Sequence, residues 1–248
     1  MGAELGLAGN RGALAKSIAE RRNRDHRFFT GMAIAAALTV FIGFARTYYL
    51  GGFEARPVST LVHLHGIVCS AWILLFVAQT SLVAAGRTDI HRKLGIGGGV
   101  LAGVVLVVGC FTAVTAARNG VAPPGELPLL GFLAVPLGTL VAFGILVGLG
   151  LYNRRRSETH RRLMLLATIA VVTPAIARFR FFLPGGPLLA IGGTCAFVLV
   201  CLFYDRLAHG RVHPAFLWGG LFLMLSLPLR FAMGRTDAWL AVAGWLTR

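Results

Sequence analysis

The sequence is short of acidic residues, and none of them lies in the middle of a long hydrophobic run. It has 9 Asp and Glu residues against 24 Lys and Arg residues. The acids fall in tails, loops or the ends of hydrophobic runs: Glu4, Glu20, Asp25, Glu54, Asp89, Glu126, Glu158, Asp205 and Asp237. This distribution argues against a carboxylate-bound di-iron centre, a magnesium-dependent prenyltransferase and ion coupling through a membrane carboxylate.

Other chemical signatures are missing as well. The four cysteines form no CxxC pair, so neither a zinc site nor a disulfide framework is indicated, and buried thiols are expected. The Gly-x-Ser-x-Gly elbow of many hydrolases is absent. The glycine-rich stretch 95–103 lies inside a hydrophobic run with no preceding strand, which excludes a nucleotide-binding loop. Residues 1–27 are too polar for the core of a signal peptide, so the first hydrophobic run is expected to stay in the membrane.

Long hydrophobic runs are abundant. Hydrophobic residues make up 56% of the 248 residues and charged residues only 13%, which is low for a soluble domain. Seven runs reach the length of about 20 residues that a membrane span requires: 28–50, 58–85, 94–117, 128–152, 161–182, 187–204 and 214–233. We therefore predict an all-α polytopic transmembrane bundle with seven spans. It would consist of a basic N-terminal segment (1–27), a membrane domain (28–233) and an interfacial C-terminal segment (234–248).

The basic residues are divided unequally between the two ends of the predicted spans. A net charge of +15 would suggest nucleic-acid binding in a soluble protein, but here the basic residues lie in short loops between hydrophobic runs. The positive-inside rule places the richer end, with the N-terminus, in the cytoplasm and the C-terminus outside. The expected location is a bacterial inner membrane. The expected partners are membrane lipids, and other membrane subunits or a second copy of the chain, rather than nucleic acid.

A histidine stands at the start of alternate spans. Thr88–Leu94 (TDIHRKL) opens span 3 and Ser157–Leu163 (SETHRRL) opens span 5, and both follow the pattern Ser/Thr, acid, any residue, His, Arg, base, Leu. One explanation is helix capping by Ser/Thr and headgroup binding by the basic residues. The other is that the histidines converge on a ligand, since neutral imidazole binds haem iron or another transition metal and hydrogen-bonds quinones. His91 and His160 are the predicted pair.

A second candidate site lies at the outer end of the predicted bundle. Span 2 begins there with His63-Leu64-His65, and His65 shares a helix stripe with Trp72 and Phe76 that should face the bundle. The odd-numbered spans end there with arginines. The predicted basic pocket comprises Arg46, His65, Arg178 and Arg230, with Tyr48 and Tyr49 nearby in sequence. It would hold an anionic group such as a haem propionate, a carboxylate or a phosphate. Alternatively, the arginines reach lipid headgroups and the tyrosines form an aromatic belt.

The span openings His91–Gly95 (HRKLG) and His160–Met164 (HRRLM), together with His63–Gly66 (HLHG), carry a resemblance. The chain resembles poorly characterised bacterial multi-pass membrane proteins with repeated His-Arg-x-Leu helix openings. It is distantly similar, over roughly spans 2 to 5, to membrane proteins implicated in cytochrome oxidase maturation and to b561-type cytochromes. In the b561 pattern, histidine pairs on four central helices hold two haems. The resemblance therefore implies haem b ligation by histidines of these openings.

We predict a redox-associated inner-membrane protein that binds haem b or quinone, as a carrier or an assembly factor. The candidate cofactor ligands are His91, His160, His65 and His63, with the first two as haem-iron ligands. The candidate anion-binding residues are Arg46, Arg178, Arg230 and Tyr49. Two alternatives stay open: a transporter or binding protein for an anionic amphiphile, and a structural subunit that packs through the glycine faces of its spans. The sequence assigns no reaction, so whether the protein is an enzyme is undetermined.

Overall fold

The computed structural model describes residues 2–50, 59–121, 127–179 and 186–248, without the side chains of 2–11, 13–15, 186 and 187. Over these residues the fold is all-helical. The helices are α1 (Gly2–Phe44, continued by a π-helical turn Ala45–Tyr49), α2 (Thr60–Ala84), α3 (Thr88–Arg118), α4 (Leu129–Phe132), α5 (Ala134–Tyr152), α6 (Ser157–Arg178), α7 (Gly186–His209), α8 (Pro214–Met233) and α9 (Asp237–Leu246). Position 58 and positions 180–182 of the predicted spans lie outside the described residues.

Seven of these segments are long and apolar enough to cross a membrane. They are Lys16–Tyr49, Thr60–Ala84, Thr88–Arg118, Leu129–Tyr152, Ser157–Arg178, Leu188–His209 and Pro214–Met233. The predicted seven-span α-helical fold is confirmed, and the chain is a multi-pass membrane protein. The polar N-terminal segment and the first span form one continuous helix, because no proline occurs before Pro57 to interrupt it.

Short glycine turns join several of the helices. Gly86, Gly120 and Gly210 follow the ends of α2, α3 and α7 with φ values of 75°, 70° and 72°. This left-handed conformation ends a helix at little cost only when the residue lacks a Cβ atom. The connections at 85–87 and 210–213 are consequently tight. We call the end of the bundle that holds these two loops the basic end, and the opposite end the outer end.

Helix α6 is the central helix of the bundle. It packs against α1, α5, α7 and α8. In its most hydrophobic stretch 67% of the residues are buried, a larger share than in any other span described. It also has the lowest mean hydropathy of the seven spans, which fits a helix that faces protein rather than lipid. Among the thiols, Cys201 is buried, whereas Cys110 is exposed on α3. The prediction of buried thiols is therefore wrong for Cys110, whose side chain is exposed among the described residues.

Candidate functional site

The structure brings His91 and His160 together at the basic end. Each is the fourth residue of its helix, His91 in α3 and His160 in α6. The centroids of the two imidazole rings are 6.3 Å apart and the ring planes are inclined at 78°. Equal distance from the two helix starts thus places both rings at one depth, where they meet.

A backbone carbonyl from α5 orients the ring of His160. Its Nδ1 atom lies 2.8 Å from the carbonyl oxygen of Gly150. A carbonyl oxygen only accepts hydrogen bonds, so Nδ1 carries the proton and Nε2 of the neutral ring keeps its lone pair. Gly150 allows the close packing that this contact needs, because a Cβ atom there would lie 2.8 Å from the sulfur of Met164. Histidines that bind metals are commonly held in the same way, with the second ring nitrogen donating to a carbonyl.

Among the described residues, two buried polar atoms near His91 have no hydrogen-bond partner, although the His91 ring also interacts with the backbone of Gln79. One is Nδ1 of His91 itself, and the other is the side-chain oxygen of Gln79 near the end of α2. Gly95 lies one helical turn after His91 in α3. A Cβ atom added to Gly95 would lie 3.6 Å from the side-chain amide nitrogen of Gln79, so Gln79 packs beside His91. Leaving a buried polar atom unpaired costs about 1–3 kcal/mol. A bound group that pairs with these atoms would recover that energy.

The two rings are close enough to contact one bound group between them. Among the described residues, no group of three or more His, Cys, Asp or Glu side chains is placed to hold a metal ion. The pair therefore offers a ligand two imidazoles, one from α3 and one from α6.

A buried ion-pair network lies beside this pair and was not predicted from the sequence. Arg162 of α6 donates two hydrogen bonds to Asp205 of α7, from Nε to Oδ2 at 2.9 Å and from Nη2 to Oδ1 at 2.6 Å. Its Nη1 atom donates to Glu158 Oε2 at 2.6 Å. Headgroup binding by the basic residues is one of the two explanations offered for the span openings. For Arg162 it is wrong, because its side chain is 2% exposed and its donors are used inside the bundle.

The network continues to α1. Arg161 Nη2 donates to Asp25 Oδ2 at 2.7 Å, and the hydroxyl of Tyr204 donates to the other carboxylate oxygen of Asp25. His209 lies between two carboxylates, with Nε2 3.3 Å from Asp25 and Nδ1 3.4 Å from Asp205. The network therefore ties α1, α6 and α7 together on one turn of α6, next to His160. A cavity of about 600 Å³ adjoins it and is lined mainly by Arg21, Glu158, Arg162, His209, Arg211 and His213.

At the outer end, the predicted residues make several contacts within the protein, and the charge of Arg178 acts on His65. The hydroxyl of Tyr48 donates to the backbone carbonyl of His63 at 3.3 Å and lies 3.4 Å from its ring Nδ1. The hydroxyl of Tyr49 is 2.7 Å from Oγ of Ser70. Arg46, on the π-helical turn, is exposed. These contacts join the end of α1 to the start of α2.

The remaining two arginines of the predicted basic pocket lie on different helix interfaces. The guanidinium of Arg178 stacks on the ring of Phe44 of α1, 4.1 Å from its centroid. Arg230 is 4% exposed between α8 and α5, where it donates to Thr139 at 2.9 Å and to Ser226 at 2.8 Å. Both are therefore held by protein groups.

The two ends of the bundle thus offer different chemistry. The basic end holds the His91–His160 pair and the ion-pair network, and the outer end holds His65 beside an apolar cavity. The stripe predicted to turn His65 inward does face the bundle, because Trp72 and Phe76 are buried. In comparisons with known proteins, no family model, no curated protein and no solved structure matches this chain.

Proposed function

We propose that the protein binds one haem b in the membrane through His91 and His160, and acts as a redox carrier or as a factor in cytochrome assembly. The observation that carries the proposal is the 6.3 Å separation of two imidazoles from matching helix positions. His91 and His160 would supply the protein ligands of the haem iron, and their 6.3 Å centroid separation is compatible with iron–imidazole bonds of about 2.0–2.1 Å. When bound, the haem supplies one-electron transfer.

The residues around the pair have definable tasks in this proposal. The carbonyl of Gly150 holds the proton of His160 at Nδ1 and leaves Nε2 as the ligand atom. Gln79 presents a buried amide beside His91, which offers a hydrogen bond to a polar edge of the bound group. The Arg162–Asp205 pair fixes the start of α6, and with it the depth of His160.

The proposal is tested by the absorption spectrum of protein purified in detergent after expression with ample haem. We expect a Soret band and a haem-to-protein ratio near one in the pyridine haemochrome assay. His91→Ala and His160→Ala should each lose most of the haem. His63→Ala, which removes a histidine at the outer end, is the matched control and should keep it. Absence of a Soret band, or equal haem content in all four proteins, would rule the proposal out.

A second candidate function is the binding of an anionic amphiphile at the outer end. It is supported by the half-buried Arg178, whose charge acts on His65 and so brings two members of the predicted basic pocket near each other. Oleate should then raise the Tm of the wild type, and Arg178→Ala should lose that rise. An equal rise in wild type, Arg178→Ala and Arg230→Ala would exclude it.

A further inference from the structure

The outer end contains a cavity of about 180 Å³ between α2, α3, α4 and the start of α5. One wall is a stripe of small residues on α3, spaced three and one apart so that they share a face: Gly109, Thr112, Ala113, Ala116 and Ala117. The opposite wall includes Phe132, Leu133 and Pro136. Leu140 packs against Gly109 at the inner end of this stripe, because a Cβ atom added to Gly109 would lie 2.8 Å from Cδ2 of Leu140. Among the described residues the cavity is open on one side, so a guest can enter it from outside the bundle.

His65 contributes the polar side of this mostly apolar space. Its ring nitrogens lie 3.7 Å and 3.9 Å from the sulfur of Cys69, and a thiol is only a weak hydrogen-bond partner. Thr112 also carries a polar hydrogen, but its hydroxyl donates to the carbonyl of Val108 at 2.7 Å within α3. His65 is therefore the side chain of the described wall that is able to donate a hydrogen bond to a guest.

Size, access and polarity limit the guest to a narrow class. An apolar cavity of about 150 Å³ accommodates benzene, so 180 Å³ suits one six-membered ring with small substituents. The cavity lies between the outer ends of membrane-spanning helices, where a lipid-soluble guest can reach it. Apolar walls penalise a charged group, while the His65 N–H favours one neutral acceptor oxygen.

We propose that this cavity binds the ring of a benzoquinone-type lipid, with one ring carbonyl accepting a hydrogen bond from His65. The remainder of the ring contacts the small-residue face of α3, and the tail of such a lipid extends into the membrane. This site is independent of the histidine pair at the basic end. Its test does not require haem to be bound.

The experiment compares two molecules of the same shape, tetramethyl-1,4-benzoquinone and 1,2,4,5-tetramethylbenzene, which lacks the oxygens. Full substitution of the quinone ring prevents addition of the Cys69 thiol. Binding is measured as the shift in Tm of the full-length protein in detergent over a ligand titration. Four proteins are compared: the wild type, His65→Leu, Ala116→Leu and Ala196→Leu. The Ala116→Leu side chain fills the cavity. Ala196→Leu is the matched control, because it adds the same side chain on an exposed face of α7.

We expect the quinone to bind the wild type and Ala196→Leu equally, and the hydrocarbon to bind roughly five- to tenfold more weakly, the worth of one net hydrogen bond. His65→Leu should bring the quinone to the affinity of the hydrocarbon. Ala116→Leu should bind neither. Equal responses of all four proteins, or equal affinity of the wild type for both molecules, would overturn the proposal. The His65→Leu comparison decides it even if Ala116→Leu fails to fold.

Discussion

Arg162 and Asp205 form a doubly hydrogen-bonded ion pair in which neither side chain reaches solvent, with exposures of 2% and 0%. The pair joins the start of α6 to the end of α7. Asp205 also accepts a hydrogen bond from the backbone N–H of His213 at 3.0 Å, so it positions the loop before α8 as well. The Asp205 carboxylate at the end of α7 therefore links the start of α6 and the loop before α8.

The first prediction is that removing one member of the Arg162–Asp205 pair lowers the unfolding free energy of the protein. Asp205→Ala leaves the buried guanidinium of Arg162 with the half-exposed Glu158 as its remaining carboxylate partner, and it removes the acceptor of the His213 N–H. This should cost up to about 3–5 kcal/mol of unfolding free energy. Arg162→Met combined with Asp205→Leu should recover most of that loss. The measurement is denaturant unfolding in detergent. The control is Asp89→Ala, which removes an ion pair with Arg87 whose side chains are 59% and 65% exposed, and it should have little effect. Equal losses in Asp205→Ala and Asp89→Ala would contradict the prediction.

The second prediction concerns His213, just before the first turn of α8. Its Nδ1 atom accepts a hydrogen bond from the backbone N–H of Ala215 at 3.1 Å and so caps the helix. Burial lowers the pKa of His213 below its ordinary value of 6.5, and the charge of Arg162 acts in the same direction. The folded state therefore favours the neutral ring. This contribution to stability is complete above pH 6.5 and is lost as the pH falls below it.

We accordingly expect the Tm of the wild type to fall between pH 7.5 and pH 5.5 by more than that of His213→Asn. Asparagine supplies a capping acceptor that does not titrate. His63→Asn, at the outer end, is the control for the loss of a histidine elsewhere. Parallel pH profiles for the wild type and His213→Asn would show that the cap does not depend on the protonation of His213.

The spans and the common depth of His91 and His160 were predictable because they depend on local features, whereas the meeting of the two rings also depends on how α3 and α6 are placed and rotated. Hydrophobic length defines a span, and an equal offset from two helix starts puts two side chains at one depth. The Arg162–Asp205 pair was not predictable in this way. Its members lie 43 residues apart on different helices, and their contact depends on which helices are neighbours and how each is rotated. The same unknowns concealed the division of Arg178 and Arg230 between two interfaces.

The third prediction uses the unpaired amide of Gln79. Because its buried oxygen lacks a partner, Gln79→Leu should leave the haem-free protein as stable as the wild type or raise its Tm by a few degrees. If the amide serves the bound group, the same substitution should lower haem retention during purification. Gln79→Glu is the companion variant and should destabilise the haem-free protein, because it buries a charge. A loss of stability in haem-free Gln79→Leu would show that the amide has a partner in the folded protein.

The fourth prediction rests on the packing of Arg230 against α5. A Cβ atom on Gly138 would lie 2.7 Å from Cγ and Cδ of Arg230, a side chain that is buried and held by Thr139 and Ser226. Gly138→Ala should therefore destabilise the protein by about 1–3 kcal/mol, although alanine normally favours a helix. Gly148→Ala on the same helix has no atom within 4 Å of the new methyl group and should be neutral or slightly stabilising.

The double substitution Gly138→Ala with Arg230→Ala separates this steric effect from a general intolerance of α5. Shortening Arg230 frees the space that the new methyl group needs, so the two changes should cost less together than the sum of the single changes. Unfolding free energies of the four proteins in one detergent give this coupling directly. Strict additivity would mean that α5 and α8 can move apart without cost, and that Gly138 does not set the distance at which Arg230 is held.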